Sequence, residues 1–300
     1  MKFLENFPTI PPKGIFYLLI GNLFFNMVLV QLTNGFGNNL FQYIAGRLLA
    51  EHHNQEVFLC PPHSEYYAIS YFEQMNVGFK KDITNYMYIN DQNYKFAFDE
   101  KYKKNNFVLV GYFEDHTYYK EHINLIKSWF PKVYNRNHND LVIHFRGGDR
   151  LFYKKSFEHK PQVENYIKAI KQFDFEKMYI VTDMPKWDFI TPESLESMSF
   201  HVNVAEENRV PPEKSVNYFN SFVEGLSEFN PILQKGNAYE DFNFIRSFDN
   251  IMFTHGTLSW WGAALSDAKK VGVYGPWRQW KGNSNKNLSY VDFNGWFRWQ

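Results

Sequence analysis

The sequence has very little cysteine and no surplus of charge of either sign. Cys60 is the single cysteine among 300 residues, which excludes an internal disulfide framework and a zinc cluster built on cysteine. Lys+Arg and Asp+Glu both number 32, so the formal net charge is zero. Because affinity for nucleic acid depends on an excess of basic side chains, this balance argues against a nucleic-acid partner.

Several common catalytic motifs are also missing. The chain contains neither a P-loop nor a Gly-x-Ser-x-Gly sequence. It also lacks an Asp-x-Asp pair with apolar flanks, which would hold a metal ion on a diphosphate. The nearest match, Asp174-Phe-Glu176, is typical of a charged helix end. We therefore expect that any diphosphate is bound by arginine and by helix N-termini, with no metal required.

Long apolar runs are scarce as well. The longest, residues 15–32, is interrupted by Asn22, Asn26 and Gln31, and a membrane span needs about 20 apolar residues. Its second half is β-branched and precedes a glycine turn, which is typical of a buried strand. We interpret 1–26 as an apolar leader outside the fold and expect a cytoplasmic or peripheral membrane protein. Membrane association through 15–25 and single-pass anchoring stay open as alternatives.

What the sequence does contain is an alternation of short apolar strands and amphipathic helices. The pattern predicts strands at 27–32, 107–113, 141–145, 178–183, 200–204, 250–255 and 270–275. It predicts helices at 40–51, 161–173, 239–248 and 258–268, and a loop-rich stretch with short strands at 61–106. Such alternation indicates α/β structure with parallel sheets. An Asn/Lys/Pro stretch at 131–139 divides the series, so we predict two Rossmann-type domains, 27–136 and 137–300, facing a central cleft.

Ligands of parallel sheets bind beyond the carboxyl ends of the strands, so the residues after each strand are candidates for a site. Gly35, Gly37 and Asn38 follow the first strand, where glycines let the backbone approach a ligand and the next helix offers its N–H groups. A tight turn needed for packing is the alternative. The turn is not a dinucleotide fingerprint, since Leu40 stands where the third glycine belongs.

The strand at 141–145 contains His144 and runs into Arg146 and Asp149. An arginine in a glycine-flanked loop can donate two N–H groups to a phosphate. Asp149 would then fix the loop. The alternative is a surface ion pair between Asp149 and a neighbouring arginine, but flanking glycines favour a binding role.

The strands at 250–255 and 178–183 end in further polar candidates. Thr257 and Ser259 stand at the predicted start of a helix, where their hydroxyls would either cap the helix or bind a pyrophosphate. Trp260 and Trp261 are more typical of packing against the sheet than of ligand stacking. Asp183 would grip a ribose, deprotonate an acceptor or cap a turn.

A charged loop follows the strand at 107–113. Glu114, Asp115 and His116 are candidates for deprotonating an acceptor hydroxyl. The alternative for each of them is a solvated loop residue without a catalytic task.

Several blocks, in the same order along the chain, resemble those of the α-1,2-fucosyltransferases of glycosyltransferase family 11. The resemblance covers about residues 27 to 285 and is weakest at 181–184. Its blocks are 35–43 (GFGNNLFQY), 111–118 (GYFEDHTY), 144–149 (HFRGGD), 181–184 (VTDM), 255–261 (HGTLSWW) and 276–280 (PWRQW).

The resemblance implies a GT-B fold and inverting transfer of fucose from GDP-fucose to the 2-hydroxyl of a galactose-type acceptor, without a metal or other cofactor. By matching position, Arg146 would hold the donor diphosphate with help from Thr257 and Ser259, and Asp149 would support the loop. Residues 27–136 would form the acceptor side and 137–300 the GDP-sugar side.

Two other interpretations stay open. One is a GT-B transferase that uses another nucleotide sugar. The other is a non-catalytic glycan-binding protein on the same fold, which would bind sugar without releasing GDP.

Overall fold

The computed structural model describes residues 26–60, 67–158, 160–197, 206–254, 256–275, 293 and 295–299. Within these ranges the chain forms two separate parallel β-sheets with helices packed on them. The strands are β1 Met27–Gln31, β2 Glu56–Cys60, β3 Gly78–Phe79, β4 Tyr86–Ile89, β5 Asn106–Leu109, β6 Asn137–Phe145, β7 Met178–Thr182, β8 Ile232–Leu233, β9 Phe248–Phe253, β10 Lys270–Tyr274 and β11 Phe297–Trp299. The helices are α1 Phe36–His53, α2 Tyr67–Gln74, α3 Ile123–Ser128, α4 Gly148–Phe152, α5 Lys154–Phe157, α6 Val163–Ile170, α7 Pro192–Ser197, α8 Pro212–Gly225, α9 Ala238–Arg246 and α10 Thr257–Ala264.

The first sheet has the strand order β3-β2-β1-β5-β4, so β1 lies at its centre. Val28 and Val30 of β1 are buried in the same hydrophobic cluster as the apolar residues of α1. Helix α1 ends at His53, and the next residue, Asn54, caps it in the left-handed conformation that asparagine tolerates. The β1–α1 turn and the end of β5 therefore lie side by side at the carboxyl edge of this sheet.

The second sheet has the order β11-β10-β9-β6-β7-β8. His144 of β6 is in register with Phe253 of β9 on one side and with Val181 of β7 on the other. Because all three strands are parallel, the segments that follow them emerge together at one edge. Arg146, Asp183 and Gly256 come from these three segments.

A single hydrophobic cluster runs from the first sheet into the second. The ring of Phe41 in α1 stacks on Trp260 of α10 with 5.0 Å between ring centroids, and lies 4.9 Å from the ring of Trp261. Both tryptophans are fully buried, which confirms that they pack, although their partner is another helix as well as the sheet. Helices α1 and α10 therefore join the two sheets.

The predicted α/β class with two parallel sheets is confirmed. The predicted strand at 107–113 is too long, because β5 ends at Leu109 and Phe113 has a left-handed backbone. The loop-rich interpretation of 61–106 misses helix α2. The predicted strand at 200–204 and residues 1–25 of the predicted leader 1–26 lie outside the described residues.

Within the described parts of the chain, no helix combines the length and the apolar character needed to cross a bilayer.

Candidate functional site

An ion pair between Arg146 and Asp183 stands at the carboxyl edge of the second sheet. Nη1 of Arg146 lies 2.6 Å from Oδ2 of Asp183. The other carboxylate oxygen of Asp183 accepts the backbone N–H of Gly147 at 2.8 Å. Asp183 thus fixes both the guanidinium and the loop that carries it, a task the sequence had suggested for Asp149. Arg146 keeps 38% of its side-chain surface exposed.

His144 lies beneath this pair and beside the start of α10. It is only 5% exposed, and burial, with a smaller effect from the Arg146 charge, lowers its pKa to about 3. The imidazole is therefore neutral at physiological pH. Its Nδ1 is buried without a hydrogen-bond partner among the described residues.

Two features explain why position 256, immediately before α10, is a glycine. Its φ of +137° is a backbone conformation that residues with a side chain rarely adopt. A Cβ there would also lie 3.2 Å from Cε1 of His144. The imidazole and the start of α10 are therefore in close contact, which links the β6 loop to the helix N-terminus.

The N-termini of α1 and α10 meet at the same place. Thr257 at the start of α10 donates its hydroxyl to Oδ1 of Asn38 in α1, at 2.7 Å. A Cβ on Gly37 would lie 2.3 Å from the backbone nitrogen of Leu258, so this glycine permits the close contact of the two helices. Glycines 35 and 256 occupy the N-cap positions of α1 and α10, and no side-chain oxygen caps either helix from there.

Ser259 is predicted to contact the sugar donor, but it lies beneath the protein surface. It is fully buried, and its hydroxyl donates to the carbonyl oxygen of Gly256 at 3.1 Å. The structure thus brings together His144, Arg146, Asp183 and the two helix starts, with Ser259 beneath the surface. The side chain of Asp149 and all of residue 255 lie outside what the structure describes.

The predicted acceptor residues lie at the carboxyl edge of the first sheet. Asp115 caps a short 3-10 helix, His116–Tyr118, by accepting the backbone N–H of Thr117 at 3.0 Å and its hydroxyl at 2.6 Å. His116 is buried within that helix. One oxygen of Asp115 is therefore already engaged in holding the loop.

Gln42 is a site residue to which sequence reasoning gave no role. Its amide nitrogen donates to the carbonyl oxygen of Gly111 at 2.9 Å and to the hydroxyl of Thr33 at 2.7 Å. Nearby, the side-chain amide of Asn34 donates to the hydroxyl of Tyr112 at 2.9 Å. These bonds tie the β1–α1 turn to the loop after β5. The helical spacing predicts Gln42 on the polar face of α1, but the side chain is fully buried. Its position between Phe41 and Tyr43 in an apolar run was the signal in the sequence, because a buried amide needs hydrogen-bond partners.

Two further features concern ligands. Among the described residues, no three or more His, Cys, Asp or Glu side chains are grouped so that they could hold a metal ion. A recess of about 470 Å³ is lined by Arg47, Glu51, Gln55 and Val77, among others. It lies at the amino ends of the strands, beside the last turns of α1, and is therefore separate from the candidate site.

A comparison of the sequence with protein-family models finds no match, and a comparison with curated proteins finds none either. Among solved structures, the chain is similar to the α-1,6-fucosyltransferase NodZ soaked with GDP-fucose, with 10% identity and a TM-score of 0.36 over 80% of this chain and 92% of that one. It is also similar to TibC, an iron-containing dodecameric glycosyltransferase from enterotoxigenic E. coli, with 10% identity and a TM-score of 0.36 over 83% of this chain and 60% of that one. Neither structure is similar enough to show what this chain binds or which reaction it catalyses.

Proposed function

We propose that this chain is an inverting glycosyltransferase that moves L-fucose from GDP-fucose to the 2-hydroxyl of a galactose-type acceptor. The observation that carries the proposal is the position of Arg146, oriented by Asp183 beside two helix N-termini. The family 11 resemblance of the sequence blocks supplies the identity of the donor sugar and the linkage.

The charges at the site suit a diphosphate. A guanidinium carries a full positive charge and N–H donors in a fork that matches the oxygens of a phosphate, and Asp183 holds that of Arg146 in place through Nη1. Each helix N-terminus carries roughly half a positive charge, so two of them held in contact repel one another unless an anion lies nearby. The N-termini of α1 and α10 are held in this way by the Asn38–Thr257 hydrogen bond. An anionic ligand would stabilise this arrangement.

In the reaction, the 2-hydroxyl oxygen of the acceptor attacks the anomeric carbon of fucose as the bond to GDP breaks. Negative charge then develops on the departing diphosphate, and donors already fixed in place stabilise it well. Asp183 acts by orienting Arg146, so we assign the acceptor proton to Asp115 or His116 in the loop after β5. The neutral His144 adds no charge that would repel the Arg146 guanidinium.

Replacing Arg146 tests whether this residue binds the diphosphate of the sugar donor. We expect Arg146→Ala to reduce transfer from GDP-fucose at least about 100-fold, as the loss of a preorganised donor typically does. Lys171→Ala, which removes an equal charge from an exposed position after α6, serves as the matched control and should transfer normally. Thermal melting would verify that both variants are folded. Near-normal turnover by Arg146→Ala would refute the assignment.

Donor and linkage need their own measurement. Release of the nucleoside diphosphate, GDP from GDP-fucose or GDP-mannose and UDP from UDP-sugars, measured with galactose-terminated acceptors, would identify the donor. NMR of the product would locate the new bond. Release from a different donor would replace fucose in the proposal, and sugar binding without any release would favour a glycan-binding protein.

A further inference from the structure

The loop after β5 has a backbone conformation that its own sequence does not explain. Phe113 has a φ of +54°, the left-handed region, which is rare for an aromatic residue. Its ring is fully buried and lies 5.3 Å from the ring of Tyr94, and its carbonyl oxygen accepts the hydroxyl of Tyr119. Strained residues of this kind persist only where their surroundings hold them, and they cluster at functional sites.

Asp91 is the residue that holds this loop. One oxygen of its carboxylate accepts the backbone N–H of Tyr112 at 3.0 Å, and the other accepts that of Phe113 at 2.6 Å. A Cβ on Gly111 would lie 2.4 Å from the Asp91 carboxylate, so the glycine there permits the contact. Asp91 follows β4, the neighbour of β5, and therefore stands at the carboxyl edge of the first sheet.

The segment that Asp91 fixes is the one that faces the proposed acceptor. Tyr112 reaches the β1–α1 turn through its hydrogen bond from Asn34. Glu114, Asp115 and His116 follow immediately, so their positions depend on the backbone of Tyr112 and Phe113. Without the carboxylate, the amides of Tyr112 and the left-handed Phe113 lose their charged acceptor.

We infer that Asp91 is a positioning residue for the sugar acceptor, acting through Tyr112 and the loop 111–116. This inference rests on the proposed function. It assigns Asp91 to acceptor binding, whereas in the proposed function the diphosphate of the donor is bound by Arg146 of the second sheet and by the starts of α1 and α10. Substitution of Asp91 should therefore weaken acceptor binding and leave recognition of the donor intact.

The test compares Asp91→Ala and Asp91→Asn with Asp82→Ala, which removes an exposed carboxylate from the β3–β4 connection. We expect Asp91→Ala to raise KM for the acceptor at least tenfold, with KM for GDP-fucose and its acceptor-free hydrolysis within twofold of the wild type. Asp91→Asn retains a carbonyl oxygen as acceptor for one amide, so its KM should lie between. Amide hydrogen exchange at Tyr112 and Phe113 should accelerate in the order wild type, Asp91→Asn, Asp91→Ala.

The outcomes separate this inference from the proposed function. Wild-type protein that releases no GDP from GDP-fucose overturns both. Wild-type turnover together with an unchanged acceptor KM in Asp91→Ala overturns the role of Asp91 alone, even if exchange accelerates. An equal loss of donor and acceptor binding also overturns it, since that indicates general damage. If Asp91→Ala does not fold, the acceptor KM of Asp91→Asn decides, and a value within twofold of the wild type contradicts the inference.

Discussion

Two junctions join the halves of this molecule, and they differ in kind. At the carboxyl edges of the sheets, α1 meets α10 through Phe41, Trp260 and Trp261, all fully buried, with Gly37 against the backbone of α10. At the amino edge of the second sheet, the junction is ionic. There Lys127 of α3 pairs with Asp267 at 3.1 Å, and Arg136 pairs with Asp249.

Asp249 is the centre of the ionic junction. It is 2% exposed and accepts hydrogen bonds from Arg136, His138 and Lys269. Burial by itself would raise its pKa, but the three hydrogen bonds and the charge of Arg136 together outweigh that effect and lower the pKa to about 2. The carboxylate is therefore charged throughout the physiological range.

The comparison shows that the separation of the two helix N-termini is fixed at one junction, and that the charges of the two halves pair at the other. Close packing fixes the separation of two helix N-termini to within a fraction of an ångström, because a packed aromatic junction has almost no free volume. Ion pairs tolerate small displacements and weaken with salt. The junction beside the candidate site is thus the rigid one, and the junction remote from it is the adjustable one.

Gly37→Ala should break the packed junction and have the largest effect. Its Cβ would lie 2.3 Å from the backbone nitrogen of Leu258, so α1 and α10 must move apart. We expect the free energy of unfolding to fall by about 3 kcal/mol, the upper range for overpacking. Chemical denaturation would measure it. Gly35→Ala is the matched control, since nothing lies within 4 Å of its Cβ, and a comparable loss there would contradict the argument.

Asp249→Asn should break the ionic junction with a smaller effect. The amide keeps the shape but removes the charge that Arg136 and Lys269 face, and we expect a loss of about 2 kcal/mol, typical of hydrogen bonds to charged groups. Asp267→Asn, at a side chain 78% exposed, should cost about 0.5 kcal/mol or less. Denaturation at low and high salt would check both. An effect of Asp249→Asn that grows with salt would contradict an ionic role.

The pH dependence of the free energy of unfolding separates the two regions further. His144, which contacts the start of α10, lies beside the packed junction. Its pKa is about 3 in the folded protein and about 6.5 when unfolded, so the unfolded chain binds the extra proton between these values. The contribution of His144 to stability is therefore complete above pH 6.5 and by itself declines by about 1.4 kcal/mol per pH unit below it.

His144→Gln should remove this slope between pH 6 and pH 4. Asp249 affects stability in a lower pH range. Its pKa is depressed to about 2, so its contribution is present above about pH 4 and is lost as the pH falls towards 2. Equal slopes for wild type and His144→Gln between pH 6 and pH 4 would rule out the buried neutral histidine.

Local patterns in the sequence predicted much of the fold. The apolar run 27–32 and the helical spacing after it gave β1 and α1, and the restart at 141–145 gave the end of β6. Helix α8 was missed although Val216, Phe219 and Phe222 recur at helical spacing behind Pro212, a favoured first residue of a helix. That omission was avoidable.

The site was predicted less completely, because its contacts join distant parts of the chain. The glycine turn and the Arg146 loop were recognised from their own residues. The pairing of Asp183 with Arg146, of Asn38 with Thr257 and of Asp91 with the Phe113 amide each spans more than 20 positions. No local pattern encodes them. The end of β5 was misplaced for the same reason, since the left-handed Phe113 depends on Asp91.

The hydrophobic cluster shared by both sheets affects how the protein folds. Neither half by itself can cover Phe41 or Trp260, because each needs the other's helix. Expressed alone, residues 27–136 would present the apolar side of α1 to water and would tend to aggregate. Calorimetry of the whole chain should accordingly record one melting transition, with the two halves melting together as a single cooperative unit.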